Sequence, residues 1–155
     1  MKILLTYPMS VIAFYNLCQS AFAQELGAVW AGDTEEESPE KLDCIIDTTP
    51  VWKPIVEALK NLVGGGRLVI NAIRKEDVDK GYLVRLNYPV HLWLEKEIKS
   101  VANVERRDIS EFLELAATIP IKPEVEEFTL EEANKALLEL KEQKIRGAKI
   151  LKIYS

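Results

Sequence analysis

"NLVGGGRLVINAI", residues 61–73, is the stretch on which the reading of the whole chain turns. The adjacent Gly64, Gly65 and Gly66 before an apolar run suggest either a loop that cradles phosphate or a stop between two elements. Upstream, Trp52, Ile55, Val56, Leu59 and Leu62 recur at helical spacing, with Pro54 acceptable only in a first turn. Downstream, "RLVINAI" is a short continuous apolar run, as expected of a strand buried on both faces. A phosphate loop runs from strand into helix, so that free amides at the helix start face the anion. This one runs from helix into strand, beside a helix carboxyl end whose dipole has the wrong sign for an anion. The three glycines are therefore expected to stop the helix and return the chain to the sheet through positive φ.

The same alternation extends outward in both directions. "SVIAF" (10–14) reads as a short strand, followed by a helix through about Leu26 with Gly27 as its stop. "AVWAG" (28–32) is a second short strand, "DTEEESPEK" (33–41) a polar loop, and "LDCIIDT" (42–48) a strand buried on both faces, with Cys44 a buried structural thiol. After "RKEDVDKG" (74–81), "HLWL" (91–94) and "EIKSVAN" (97–103) are two expected strands. Asp108 with Glu111 has the capping-box spacing of a helix start, and Ile109, Phe112, Leu113 and Ala116 form its expected buried stripe. "PIKPEVEEF" (120–128) is extended, because Pro120 and Pro123 exclude a helix. Thr129 and Glu132 repeat the capping-box spacing, ahead of a stripe of Leu130, Ala133, Leu137 and Leu140. Gly147 introduces a last strand, "AKILKIY". Strand and helix in alternation define an α/β fold with a mostly parallel sheet.

Composition narrows the function. The chain has 155 residues, 48% hydrophobic and 29% charged, as in ordinary globular domains. A net charge of −5 argues against nucleic acid, which requires a basic face. Two cysteines, Cys18 and Cys44, and the single His91 cannot fill a closed structural zinc site of four ligands. His91 has no carboxylate or thiol partner nearby in sequence and reads as structural or solvated. Trp30, Trp52 and Trp93 lie in apolar-periodic segments and read as core or interface. Lys2, "ILLTYPMSVIAF" and "AFA" (21–23) imitate a secretory signal, but Pro8 and Asn16 interrupt it and cleavage after Ala23 would cut the first helix. A cytoplasmic protein is expected, with export as the alternative. The apolar stretch is too short and interrupted to span a bilayer.

In parallel α/β sheets, ligands collect beyond the carboxyl ends of the strands. That rule singles out Asp47 with "TTP" at 48–50, "NAI" at 71–73 and "VAN" at 101–103. A ligand at these loop mouths would meet mostly backbone groups and small side chains.

The order and spacing of these elements over roughly residues 19–153 resembles the carboxyl-terminal half of medium-chain dehydrogenase/reductases, close to the zinc-type alcohol dehydrogenases. The resemblance rests on "LDCIIDTTPVWKPIVEALKNLVGGGRLVINAI", "EIKSVAN", "RRDISEFLELAA" and "IPIKPEVEEFTLEEANKALLELKEQKIRGAKILKI". It implies hydride transfer between an alcohol or carbonyl compound and NAD or NADP, usually with a catalytic zinc. It implies that Asp47 and Thr48 lie near the adenosine side of the cofactor, and that Asn71, Ala72, Ile73, Val101 and Asn103 lie near the nicotinamide, mainly through backbone atoms. The domain reading that follows is a divergent segment at 1–18, a partial Rossmann-like NAD(P)-binding domain at 19–119, and a strand-helix-strand portion of the catalytic domain at 120–155. "HLWL" matches the strand by which family members join sheets across a dimer, so a homo-oligomer through His91–Leu94 is expected.

The departures from the family pattern are large. No cysteine and histidine zinc ligands and no G-x-G-x-x-G turn occur in the sequence, and no acidic residue follows "SVIAF" to hold a ribose hydroxyl. Family members often carry arginine directly after the last glycine; here Ala148 follows Gly147, with Arg146 and Lys149 on either side. A truncated, remnant or split enzyme is expected, inactive alone and weak in cofactor binding. A non-catalytic module that pairs with itself or with a separately encoded catalytic half is the alternative. The "GGR" turn before a strand also resembles S-adenosylmethionine-dependent methyltransferases, whose upstream glycine-rich loop residues 1–41 do not contain. A sheet without its first strand exposes both flanking edges, which "ILLTYP" (3–8) or oligomerisation could cover.

Overall fold

The computed structural model describes residues 10–14, 21, 23–25, 27–102, 104–119, 123–142 and 147–153. The expectations for "ILLTYP", the signal-like segment, Cys18, Asn103, Pro120 and Arg146 lie outside these residues. Two compact units are present, residues 1–103 and 104–155.

In the first unit, β1 (Ser10–Phe14) pairs in parallel with β2 (Ala28–Asp33). Between them Ala21 and Ala23–Glu25 are helical, and Gly27 turns the chain at φ +101°. A separate parallel sheet has the order β3 (Leu42–Asp47), β4 (Leu62–Ile70), β5 (Glu97–Ser100). Helix α1 (Lys53–Leu59) makes the crossover from β3 to β4, starting at Lys53–Pro54 as proline requires. Its helical-period residues Ile55 and Leu59 meet Leu62 and Leu68 of β4 in the buried core, with Ile45, Trp52, Ala58 and Ile70 packed around them. The alternation of a half-covered strand follows from this single layer. Ile45 turns inward to the helix, whereas Cys44 and Ile46 face solvent.

Two expectations fail here for the same reason. β3 is not buried on both faces, and Cys44 is an exposed free thiol, because β3 is an edge strand covered on one face by α1. The glycines also play a different part. α1 ends at Leu59, before they begin, and Gly64–Gly66 lie inside β4, where the pairing jumps from Leu42↔Leu62 to Cys44↔Arg67. They form a bulge rather than a helix stop. Gly65 takes φ +73°, and a Cβ on Gly66 would stand 3.0 Å from the Val63 carbonyl oxygen. The direction of travel, helix into strand, is as read.

"HLWL" is not a strand. His91 ends the short helix α2 (Tyr88–His91), and residues 92–95 turn with Leu94 at φ +67° and Glu95 at φ +61°. Local turn bonds take the amides a strand would need: Leu92 N–H and Trp93 N–H both donate to the Tyr88 carbonyl, at 3.1 and 2.8 Å. A 3-10 helix, Lys80–Arg85, precedes it.

In the second unit, α3 (Arg106–Thr118) starts earlier than expected. Glu105 is its N-cap, and Asp108 is the residue that reaches back to it, accepting from Glu105 N–H at 2.9 Å. The Thr129–Glu132 capping box forms as read, between β6 (Val125–Thr129) and the turn that leads into α4 (Ala133–Lys141). β6 pairs in parallel with β7 (Ala148–Lys152). The two expected stripes are not buried. Ile109, Phe112 and Leu113 on α3 are exposed, as are Leu130, Leu137 and Leu140; Phe128 and Ala136 are buried instead. A two-stranded sheet with one short helix buries too little surface to cover both helices. Among the described residues no helix is long and apolar enough to cross a membrane.

Candidate functional site

Register determines where the loops open. Asp47, Ile70 and Ser100 are aligned partners at the carboxyl ends of three parallel strands. The chain therefore leaves β3, β4 and β5 at one edge, through 48–52, 71–79 and 101–102. Thr48, Pro50, Asn71, Ala72, Ile73 and Arg74 line a cavity of about 310 Å³ there. Four residues singled out in the sequence, Thr48, Asn71, Ala72 and Ile73, thus share one crevice. Val101 leaves the same sheet end, with its N–H on the Ile70 carbonyl at 3.2 Å, but does not line the cavity. Asp47 also stands apart from it.

The Asp47 side chain is buried and fully engaged. Oδ1 accepts from the Thr49 hydroxyl at 2.7 Å, and Oδ2 accepts from the Lys75 ammonium at 2.5 Å. Lys75 donates further to the Thr49 and Val51 carbonyls, at 2.6 and 3.1 Å. Lys75 escaped the sequence reading, since a lysine in "RKEDVDK" looks like any solvated charge. Only burial distinguishes it, with 11% of its side chain exposed.

The helix start nearest the crevice is closed to anions. Asp79 reaches across from the following loop and accepts from Trp52 N–H at 2.8 Å and Lys53 N–H at 2.7 Å. Its carboxylate thus occupies the free amides that a phosphate would use.

The glycine bulge opens on a different surface. Gly64, Gly65, Tyr88, Trp93, Leu94 and Glu95 surround a shallow hollow of about 610 Å³. Gly65 N–H donates to the Leu94 carbonyl at 2.7 Å, so it is not offered to a ligand. Tyr88 and Trp93 meet edge to face, with centroids 5.7 Å apart. His91 is buried beside them. Its Nδ1 accepts from Asn87 N–H at 2.8 Å, while its buried Nε2 has no hydrogen-bond partner.

Among the described residues no three His, Cys, Asp or Glu side chains converge as metal ligands, so the residues present do not fit a zinc ion. In the crevice lining, the side-chain polar groups of Thr48 and Asn71 have no partner among the described residues.

No family model matches the chain. AdhA of Mycobacterium tuberculosis (strain CDC 1551 / Oshkosh), a probable alcohol dehydrogenase, is 36% identical over 131 residues, which is 84% of this chain and 36% of that protein. The CAD of Helicobacter pylori complexed with NADP(H) superposes with a TM-score of 0.69 at 17% identity, covering 91% of this chain and 40% of that one. Bacillus subtilis yhfP with NAD bound gives a TM-score of 0.66 at 16% identity, covering 95% of this chain and 47% of that one. The chain thus spans little more than a third of the curated relative it matches. A parallel sheet, a crossover helix and a crevice at the strands' carboxyl ends define an α/β domain of the dehydrogenase type. Over 84% of its length the chain is similar to a probable alcohol dehydrogenase, and its fold is that of solved alcohol dehydrogenases.

Proposed function

We propose that the chain carries part of the cofactor site of an NAD(P)-dependent alcohol or carbonyl oxidoreductase and performs no hydride transfer alone. The observation that carries this reading is the convergence of Thr48, Asn71, Ala72 and Ile73 on one cavity at the carboxyl edge of a parallel sheet. When bound, the nicotinamide cofactor supplies the hydride acceptor. The chain's own contribution is positional: Thr48 on the adenosine side, Asn71–Ile73 as the wall toward the nicotinamide, and Val101 beyond it. Among the described residues no ligands gather for a zinc ion that would polarise the substrate oxygen, so the proposal gives them no part in that step.

Affinity should be weak. The sequence has no glycine-rich phosphate turn, and Asp79 fills the amides of α1. The expected dissociation constant for NAD or NADP is about millimolar or weaker, on the order of −4 kcal/mol. Calorimetric titration measures it directly, and micromolar binding would sink the reading. Hydride transfer is expected only in a mixture with a zinc-bearing partner. The reading places the protein in the cytoplasm, to be checked by cell fractionation.

Self-association is the second element of the proposal. Tyr88, Trp93 and Leu94 are each more than half exposed and form an apolar surface beside the glycine bulge. With residues 91–94 in a helix end and turn, contact between copies is expected through this face rather than through strand addition.

A further inference from the structure

We propose that Lys75 is a positioning residue of the crevice, the tie that fixes the separation of its two loops. The inference rests on the reading of the crevice as a cofactor site. The loop after β4 is held at both ends: Asn71 N–H donates to the Asp47 carbonyl and Glu76 N–H to the Pro50 carbonyl, each at 2.7 Å. Between these anchors, Ala72, Ile73 and Arg74 bow outward as the cavity wall. Lys75 is the only side chain of that segment directed back across the gap. An ammonium has three protons to donate, and Lys75 places them on Asp47, Thr49 and Val51, one at the end of β3 and two along the facing loop.

A buried ammonium persists only where charge and donors are satisfied. This arrangement satisfies both and joins the two walls in one network. Thr49 lies on each path, accepting through its carbonyl from Lys75 and donating through its hydroxyl to Asp47. Arg74, its side chain largely exposed, meets Glu76 at 3.2 Å. Arg74 is the charged group of the cavity lining.

The test compares wild type, Lys75→Met, and Asp47→Asn with Lys75→Met. The double variant leaves no buried charge unpaired and guards against a single variant that fails to fold. Hydrogen exchange of the ligand-free chain, followed by mass spectrometry, is expected to rise at least about tenfold in segments 47–52 and 70–77 together, with 54–59 and 66–69 unchanged. Unchanged exchange in the two loops, or a uniform rise throughout the chain, overturns the proposal. A titration with NAD and with NADP, followed by amide chemical shifts at 71–74, is expected to show binding at least tenfold weaker in the folded variant. Equal affinity overturns the positioning role. If wild type shows no shifts with either dinucleotide, the cofactor reading fails, and the exchange result still decides the clamp.

Discussion

Gly147 takes φ +76°, and a Cβ added there would stand against the Glu124 carbonyl group, a backbone unit that cannot swing aside. The carbonyl of Glu124 meanwhile accepts from Ala148 N–H at 2.9 Å, starting the β6–β7 ladder. Gly147→Ala should therefore destabilise the second unit by about 2 kcal/mol or more, read as a lowered urea midpoint or as faster exchange in 123–129 and 147–152. Glu57 gives a pH-dependent counterpart. Burial alone would push its carboxyl up, but hydrogen bonds donated by Lys60 and Tyr82 prevail and hold it below the ordinary value of 4.5. A lowered native value means that the unfolded chain takes the proton first as pH falls. The stabilisation is whole above pH 4.5 and is lost as the pH falls through the native value. Tyr82→Phe removes one donor to that carboxylate and should cost about 1.5 kcal/mol at pH 7, with the gap to wild type narrowing at pH 3. A gap that does not change with pH would refute this account of Glu57.

At the scale of elements, α1 holds the first unit together while being only seven residues long. A helix of that length is marginal by itself, so its packing and capping must come from elsewhere. Packing comes from Ile55 and Leu59 against the fully buried Leu68. Leu68→Ala should cost about 2–5 kcal/mol in chemical denaturation. Capping comes from Asp79, which holds the Trp52 and Lys53 amides from more than 20 positions away. Asp79→Ala should cost about 1 kcal/mol and raise exchange at the helix start. It also frees those amides, so the same variant should bind inorganic phosphate more tightly than wild type does. No gain in phosphate affinity would show that the cap is not what closes this site. The Glu105–Asp108 and Thr129–Glu132 boxes are ordinary local caps by comparison.

For the whole molecule, the decisive fact is how little of the apolar surface is covered. Among the described residues β1–β2 and β3–β4–β5 form two sheets, each with unpaired edges, and Ile109, Phe112 and Leu113 of α3 stand open to solvent. Exposed apolar surface of this extent marks interfaces. Sedimentation should show self-association at micromolar concentration, reduced by Trp93→Ser; a strictly monomeric wild type would remove the oligomer from the proposal.

Strand β3, helix α1, strands β4 and β5, and the last strand were all legible in the sequence, because hydrophobic period and proline or glycine placement act locally. Local logic also ran the chain from helix into strand ahead of Gly64–Gly66 and put Thr48 and Asn71–Ile73 at one sheet edge. Burial was not legible. Cys44, Ile109, Phe112 and Leu137 sit at apolar-periodic positions, yet they are exposed, because period shows which face is apolar and not whether anything covers it. The turn at 92–95 and the ties from Lys75 and Asp79 were equally hidden. The two ties depend on groups brought together from distant parts of the chain, and only the tertiary structure decides which polar partners meet.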